Sequence, residues 1–194
     1  MAALAPLRNA SLTRTVGGII RRGALGALCF LPTTFVAEKP EHRNGIEAVL
    51  DRAFGPGRFA KTSERVRERG ARAEPQLSRV ALSESGAIIG VCRISSLEAG
   101  APAYFLGPLA VDPGAQAVGV GAALVRETVN ACRERGGSVI VLVGAHKFFQ
   151  PMGFAVVPEG RLIMPGPVDP ARLLWVELHP GGSDRVRGEL KAPR

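Results

Sequence analysis

"GPLAVDPGAQAVGVGAALVRETVNACRERG" occupies residues 107–136. A short apolar run leads into Asp112-Pro113-Gly114, and Gly119 and Gly121 stand just ahead of a helical pattern. Leu124, Val125, Val129 and Cys132 recur at helical spacing, which predicts a helix over Val120–Arg135, and Gly136-Gly137 ends it. Glycines at the mouth of a helix let backbone come close to a ligand. The free N–H groups and the helix dipole there favour an anion.

Three anion-binding patterns compete for this loop. A dinucleotide fingerprint wants a third glycine where Leu124 stands, and an acid about 20 residues on. Val141 and Val143 lie there instead. A phosphate-binding P-loop wants Lys-Ser or Lys-Thr after a glycine, and neither glycine has one. What remains is Q-x-x-G-x-G, filled by Gln116, Gly119 and Gly121, with room for a diphosphate. A tight strand-to-helix turn that binds nothing is the open alternative.

Outward from the loop, the chain reads as alternating strands and helices. Residues 34–40 are β-branched and aromatic up to Pro40 and predict a strand. Ile46, Val49, Leu50 and Phe54 predict a helix stopped by Gly55, and residues 61–70 predict a short charged helix. Residues 77–100 predict two strands around the turn Ser83–Gly86. Residues 102–113 predict a central strand, and residues 138–144 a wholly apolar, buried parallel one. A short helical turn broken by Pro151 follows, then strands at 154–157 and 171–178. The expected fold is α/β, a mixed central sheet flanked by helices. One domain spans residues 34–182, and residues 183–194 read as a loose tail.

Bulk composition narrows the function classes. Apolar residues make up 46% and charged residues 22% of 194, which suits one globular core. The formal charge is +8, but Arg8, Arg14, Arg21 and Arg22 carry half of it within a segment that has no acid. That balance suits anionic ligands. No basic run with interleaved aromatics appears, so no nucleic-acid partner is expected. Cys29, Cys92 and Cys132 are widely spaced and form no metal-ligand pattern, so no metal is expected. Residues 1–33 read as a loose extension, with a secretory signal or an organelle transit peptide as the competing readings. The apolar stretch at 23–31 is too short to span a bilayer. No membrane association is expected, and the expected location is the cytoplasm.

The stretch "LGPLAVDPGAQAVGVGAALVRETVNACRERGGSVIVLVG" closely resembles the acetyl-CoA-binding core of the GNAT superfamily of N-acyltransferases. "HKFFQPMGF" resembles the aromatic turn ending in Gly-Phe of the YhbS-like branch, and "MPGPVDPARLLWVELHPG" is similar to that branch as well. The resemblance implies two strands that splay around a cofactor cleft. It implies a pantetheine arm paired with backbone of Leu109, Ala110 and Val111. It implies a diphosphate on the N–H groups of Gln116, Ala117, Val118, Gly119, Val120, Gly121 and Ala122. Phe148 and Phe149 would wall the thioester end. The family often has a basic residue where Val118 stands, so one phosphate partner is missing.

Acetyl transfer needs a neutral amine, a donor for the carbonyl oxygen and a proton for the leaving thiolate. Val111 N–H matches the family's carbonyl donor. The family's usual acid is a Tyr where this chain has Phe149, which has no proton to give, and its usual Arg is Pro151. His146, Tyr104 and Cys132 are the candidate substitutes, against plainer roles as a capping or exposed histidine, a core tyrosine and a core cysteine. Glu84 and Glu98 are weak candidates for the base. The expected activity is N-acetyl transfer from acetyl-CoA to a small-molecule or protein amine, by a monomer or homodimer. The alternative is a weak or silent acyl-CoA-binding regulatory module.

Overall fold

A computed structural model describes residues 19–22, 28–31, 33–55, 65–66, 68–116 and 119–193. Strands β1 (Ile19–Arg22) and β2 (Leu28–Leu31) pair antiparallel, Ile19 with Leu31 and Arg22 with Leu28. This hairpin lies within the stretch expected to be loose. The next elements are β3 (Thr34–Ala37), helix α1 (Arg43–Phe54), β4 (Arg72–Ala73), β5 (Arg79–Leu82), β6 (Ile88–Glu98) and β7 (Pro102–Val111). Helix α2 (Val120–Arg135), β8 (Val139–Val143), α3 (His146–Phe149), β9 (Ala155–Val156), β10 (Leu162–Ile163), β11 (Leu173–Glu177) and β12 (Gly188–Glu189) complete the chain. The charged helix expected at 61–70 falls largely outside the described residues.

The main sheet runs β3-β5-β6-β7-β8-β11-β9, with β4 added beside β6. Its pairs are antiparallel except β7–β8, which is parallel. A parallel pair needs a crossover, and α2 supplies it. The expected mixed α/β sheet is therefore the fold. No closed barrel forms.

One sheet face packs under α2. Leu124, Val125, Val129 and Cys132 sit there with Cys92, Ile94, Leu106, Ile140, Leu142 and Leu174. They are the helix positions whose spacing marked them as apolar. On the opposite face α1 buries Ile46, Val49 and Leu50 against Val80, Val91 and Ala110. A third cluster covers the rest of that face and draws on Phe105, Val139, Val141, Leu173, Val186 and Leu190.

The last two of these residues correct the expected loose tail. Val186 is fully buried and Leu190 nearly so. β12 pairs with β10, Leu162 with Gly188 and Ile163 with Glu189. Arg161 clasps the tail, donating from Nε to Val186 O at 2.9 Å and from Nη2 to Ser183 O at 2.8 Å and Asp184 O at 2.7 Å. Polar composition suggested looseness, but a guanidinium fork bonding backbone carbonyls needs no particular residue in the segment it holds. No helix among the described residues is long and apolar enough to cross a membrane.

Candidate functional site

The site begins where two strands part. β7 and β8 share the registered pairs Tyr104–Ile140 and Phe105–Val141. Beyond them β7 runs on to Val111 and β8 to Val143, with an opening between. The cause lies on the other edge of β7. There Cys92 faces Leu109 and Ile94 faces Leu106, so Gly107 and Pro108 both stand opposite Arg93. An extra residue on one side of a ladder bends the strand that carries it. Arg93 is held by Glu38, with Nη2 on Oε1 at 2.7 Å and Nε on Oε2 at 3.0 Å, a bidentate pair. Sequence reading treated 102–113 as one continuous strand and missed this bend.

Ladder alternation decides which backbone groups face the opening. Asp112 N–H donates to Ile89 O at 2.8 Å, so Gly90 and Val111 form a non-hydrogen-bonded pair. Antiparallel pairs alternate. Val111 and Leu109 therefore turn their N–H and C=O toward the opening, and Ala110 turns its own toward Val91. This corrects the expected backbone contact through Ala110. Gln116 Nε2 donates to Val111 O at 3.1 Å, leaving the Val111 N–H as the exposed donor.

The loop is braced from both sides. Asp112 Oδ1 accepts from Gly114 N–H at 3.0 Å, and Oδ2 accepts from Arg52 Nε at 2.7 Å. The Gly114 amide, with Arg52 adding, holds the Asp112 carboxyl below the usual carboxylate range. Arg52 lies in the last turn of α1, so helix and loop are tied across 60 positions. Gln116 belongs to the brace as well. Its N–H reaches Pro113 O at 3.4 Å, so its backbone points into the turn rather than out as expected.

Gly119 caps α2 with φ +86°, a left-handed conformation that side chains resist. A Cβ added there would touch nothing within 4 Å, so backbone angle, not space, requires the glycine. No side chain caps the helix. The first helical bond runs from Ala123 N–H to Gly119 O at 3.0 Å, and the N–H groups of Gly119, Val120, Gly121 and Ala122 have no backbone acceptor among the described residues, which suits a ligand. A Cβ on Gly121 would lie 3.5 Å from both Phe148 Cζ and Val111 Cγ2, so the bare glycine keeps that gap clear. Ala117 and Val118, also expected to hold phosphate, lie outside the described residues.

Phe148 stands at the mouth, 43% exposed. Phe149 lies 4.9 Å from it, edge to face, but is 7% exposed and packs against Phe154 at 5.5 Å. Its ring also fills the space a Cβ on Gly144 would need. Phe149 is thus a core residue behind the opening, whereas Phe148 is the wall expected of both. His146 opens α3, two residues before Phe148, and is half-buried.

Tyr104 does not join this group. It sits where β7 and β8 are still paired, and its ring abuts Gly137 beyond the C-terminal end of α2. Val111 lies seven residues further along, about 23 Å of extended strand. Burial raises the Tyr104 hydroxyl above its ordinary range, with Cys132 adding. The expected catalytic role is corrected to a packing role. Glu84 lies exposed in the β5–β6 turn, and Glu98 closes the far end of β6 against Lys191. No group of three His, Cys, Asp or Glu side chains that could hold a metal occurs among the described residues.

Residues 44–154 match the sequence model of the acetyltransferase (GNAT) family. The chain belongs to the GNAT acetyltransferase family. No curated protein matches this GNAT chain in sequence. Solved structures share its fold. A GNAT family N-acetyltransferase (YhbS) from Escherichia coli, in complex with CoA, superposes with a TM-score of 0.72 at 24% identity, over 85% of this chain and 92% of that one. A GNAT family acetyltransferase from Brucella melitensis, in complex with acetyl-CoA, gives 0.60 at 24% identity, over 83% and 96%. The ribosomal-protein-S18-alanine N-acetyltransferase from Escherichia coli gives 0.54 at 16% identity, over 75% and 94%.

Proposed function

We propose that this chain transfers an acetyl group from acetyl-CoA to an amine. One observation carries the reading: the opening between β7 and β8 leads straight to the uncapped first turn of α2. A long carrier with an amide-rich arm and a diphosphate matches that shape. The clear space at Gly119 and the gap kept by Gly121 are the fit that a diphosphate on backbone requires.

Acetyl-CoA, when bound, supplies an acetyl thioester. Leu109 would pair with the arm through the backbone groups it turns into the opening. Gly119, Val120, Gly121 and Ala122 hold the diphosphate through N–H groups, with the α2 dipole aiding. Val111 N–H stands to the reacting carbonyl as an oxyanion donor. Phe148 shields the mouth from water. Phe149 has no hydroxyl, so His146 is the proposed proton carrier on this turn. The acceptor is a small-molecule or protein amine, and the proposed location is the cytoplasm.

Calorimetric titration with acetyl-CoA, followed by thiol release with a panel of amines, tests the proposal. Saturable binding and turnover with at least one amine support it. Binding with no turnover on any amine would leave a carrier-binding module in its place.

A further inference from the structure

β6 loses its regular ladder on both edges at one place. Toward β7 the paired positions jump from Cys92–Leu109 to Ile94–Leu106, and Arg93 faces both Gly107 and Pro108. Pro108 has no N–H to give it. Toward β5 the pairing ends at Arg79–Cys92, and β4 takes up the edge only at Ser95. Between them the buried Ser78 substitutes for a strand. Its Oγ accepts from Ile94 N–H at 3.0 Å and donates to Glu74 O at 2.9 Å, while Glu74 N–H donates to Ile94 O at 2.9 Å.

Glu38 ties this gap to the far edge of the sheet. It directly follows Ala37, the last residue of β3. Its N–H is shared between Pro75 O and Ser78 O, at 3.2 Å each. Its carboxylate receives the Arg93 fork, and Arg93 Nη1 also lies 3.6 Å from Glu47 Oε1 of α1. The Arg93 and Glu38 side chains are 24% and 16% exposed. A sheltered, two-pronged pair fixes geometry more firmly than an exposed one. Cys92 and Ile94 pack under α2, so Arg93 projects to the opposite face, where α1 lies.

We infer that Glu38 is a positioning residue for acetyl transfer. Acting through Arg93, it fixes β6 where the bulge leaves the ladder thinnest. It thereby sets the spacing of the opening and the aim of the Val111 N–H. The inference rests on the acetyl-CoA reading. The cradle is secured separately, by the Arg52–Asp112 tie and the Gln116 bond. Loosening Glu38 therefore shifts the strand that meets the reacting carbonyl more than the turn that holds the diphosphate. Misplacement by about 1 Å, even from a change far from the chemistry, costs up to ~100-fold in rate.

The test is steady-state thiol release by the full chain, beside calorimetric titration of acetyl-CoA and thermal melts. The proteins are the native chain, Glu38→Gln, Arg93→Lys and the double variant, assayed where the melts show all four folded. Glu38→Gln keeps the shape and removes the charge, whereas Arg93→Lys keeps the charge and removes the fork. Each should lower kcat about 10- to 100-fold with acetyl-CoA affinity within about threefold of native. The double variant should be no slower than the slower single one, because both act through one contact. Unchanged kcat with only a lower melting temperature makes the pair a fold contact and overturns the inference, leaving the acetyl-CoA reading standing. Additive losses in the double variant, or a fall in acetyl-CoA affinity as large as the fall in kcat, overturn it too. No turnover by the native chain on any amine overturns both.

Discussion

Gln116 Nε2 donates to the carbonyl oxygen of Val111 at 3.1 Å, so the first residue of the glycine motif braces the last residue of the bent strand. That bond ties the loop to the backbone position whose N–H faces the opening. Gln116→Ala removes it without touching the core. Carrier affinity should fall roughly 2- to 10-fold, the range of one net hydrogen bond. The melting temperature should hardly move. Titration of acetyl-CoA against the variant checks this, and unchanged affinity would sink the bracing role.

Gly119 and Gly121 act for different reasons, and alanine separates them. At Gly119, with φ +86°, alanine has open space but the wrong backbone angle, at a cost of about 1–2 kcal/mol. The melting temperature should drop by a few degrees. At Gly121 an alanine Cβ makes ordinary 3.5 Å contacts, so stability should hold while carrier binding weakens. Thermal melts beside titrations distinguish the two variants.

The tie between Arg52 and Asp112 has a definite pH dependence. The Gly114 amide and Arg52 lower the folded-state pKa of Asp112, so their stabilisation is present above the unfolded value and is lost as pH falls through the folded one. Native protein and Asp112→Asn should therefore differ by a constant amount from pH 7 down to about pH 5. Below about pH 4 the gap should close. Thermal melts across that range read it, and a gap that widens in acid would contradict the assignment.

His146→Ala removes the proposed proton carrier of the aromatic turn, and turnover should fall roughly 100-fold or more at unchanged CoA affinity. Phe149 is packed behind the opening, so Phe149→Tyr should leave turnover unchanged and lower the melting temperature. Thiol release and thermal melts on both variants check this, and a large gain of turnover at position 149 would contradict its place in the core.

Cys92 and Cys132 are fully buried, and burial pushes both thiols up to about 12. Thiolate is the reactive form. A Cys29→Ser variant should therefore resist a thiol reagent when folded and expose two reactive thiols in denaturant.

The parts of this fold that sequence revealed are those with a period or a special backbone. The α2 stripe of Leu124, Val125, Val129 and Cys132 carries helical periodicity, and residues 139–143 are apolar without break. Gly119 was legible because a left-handed cap excludes most other residues. The bend at Gly107–Pro108 was not, since the residues that flank it read as strand and the missing pairs belong to Arg93 on a neighbour. The tie from Arg52 to Asp112 was equally hidden. Nothing local to either residue names a partner 60 positions away. The clasp of Arg161 leaves no sequence signal for a different reason, because its acceptors are main-chain carbonyls. Tyr104 was misjudged because alternation along a strand gives the face of a side chain but not how far down the strand the cleft begins.

The tail reaches both halves of the divided sheet. Ser183 N–H donates to Glu177 Oε1 at 3.0 Å on β11, in the half after the opening, while Gly188 and Leu190 donate to Arg161 and Ile163 at 2.9 and 3.0 Å beside the separate β10–β12 pair. Arg187 and Lys191 donate to Ala99 and Glu98 at 2.8 and 3.0 Å, on the half before it. These stitches sit at the closed end of the wedge, and the pairs at Tyr104 and Phe105 are its fulcrum. The short arm of a lever governs the gape of the long one. Changes in the last dozen residues therefore tune how widely the jaws stand apart, from the far side of the molecule.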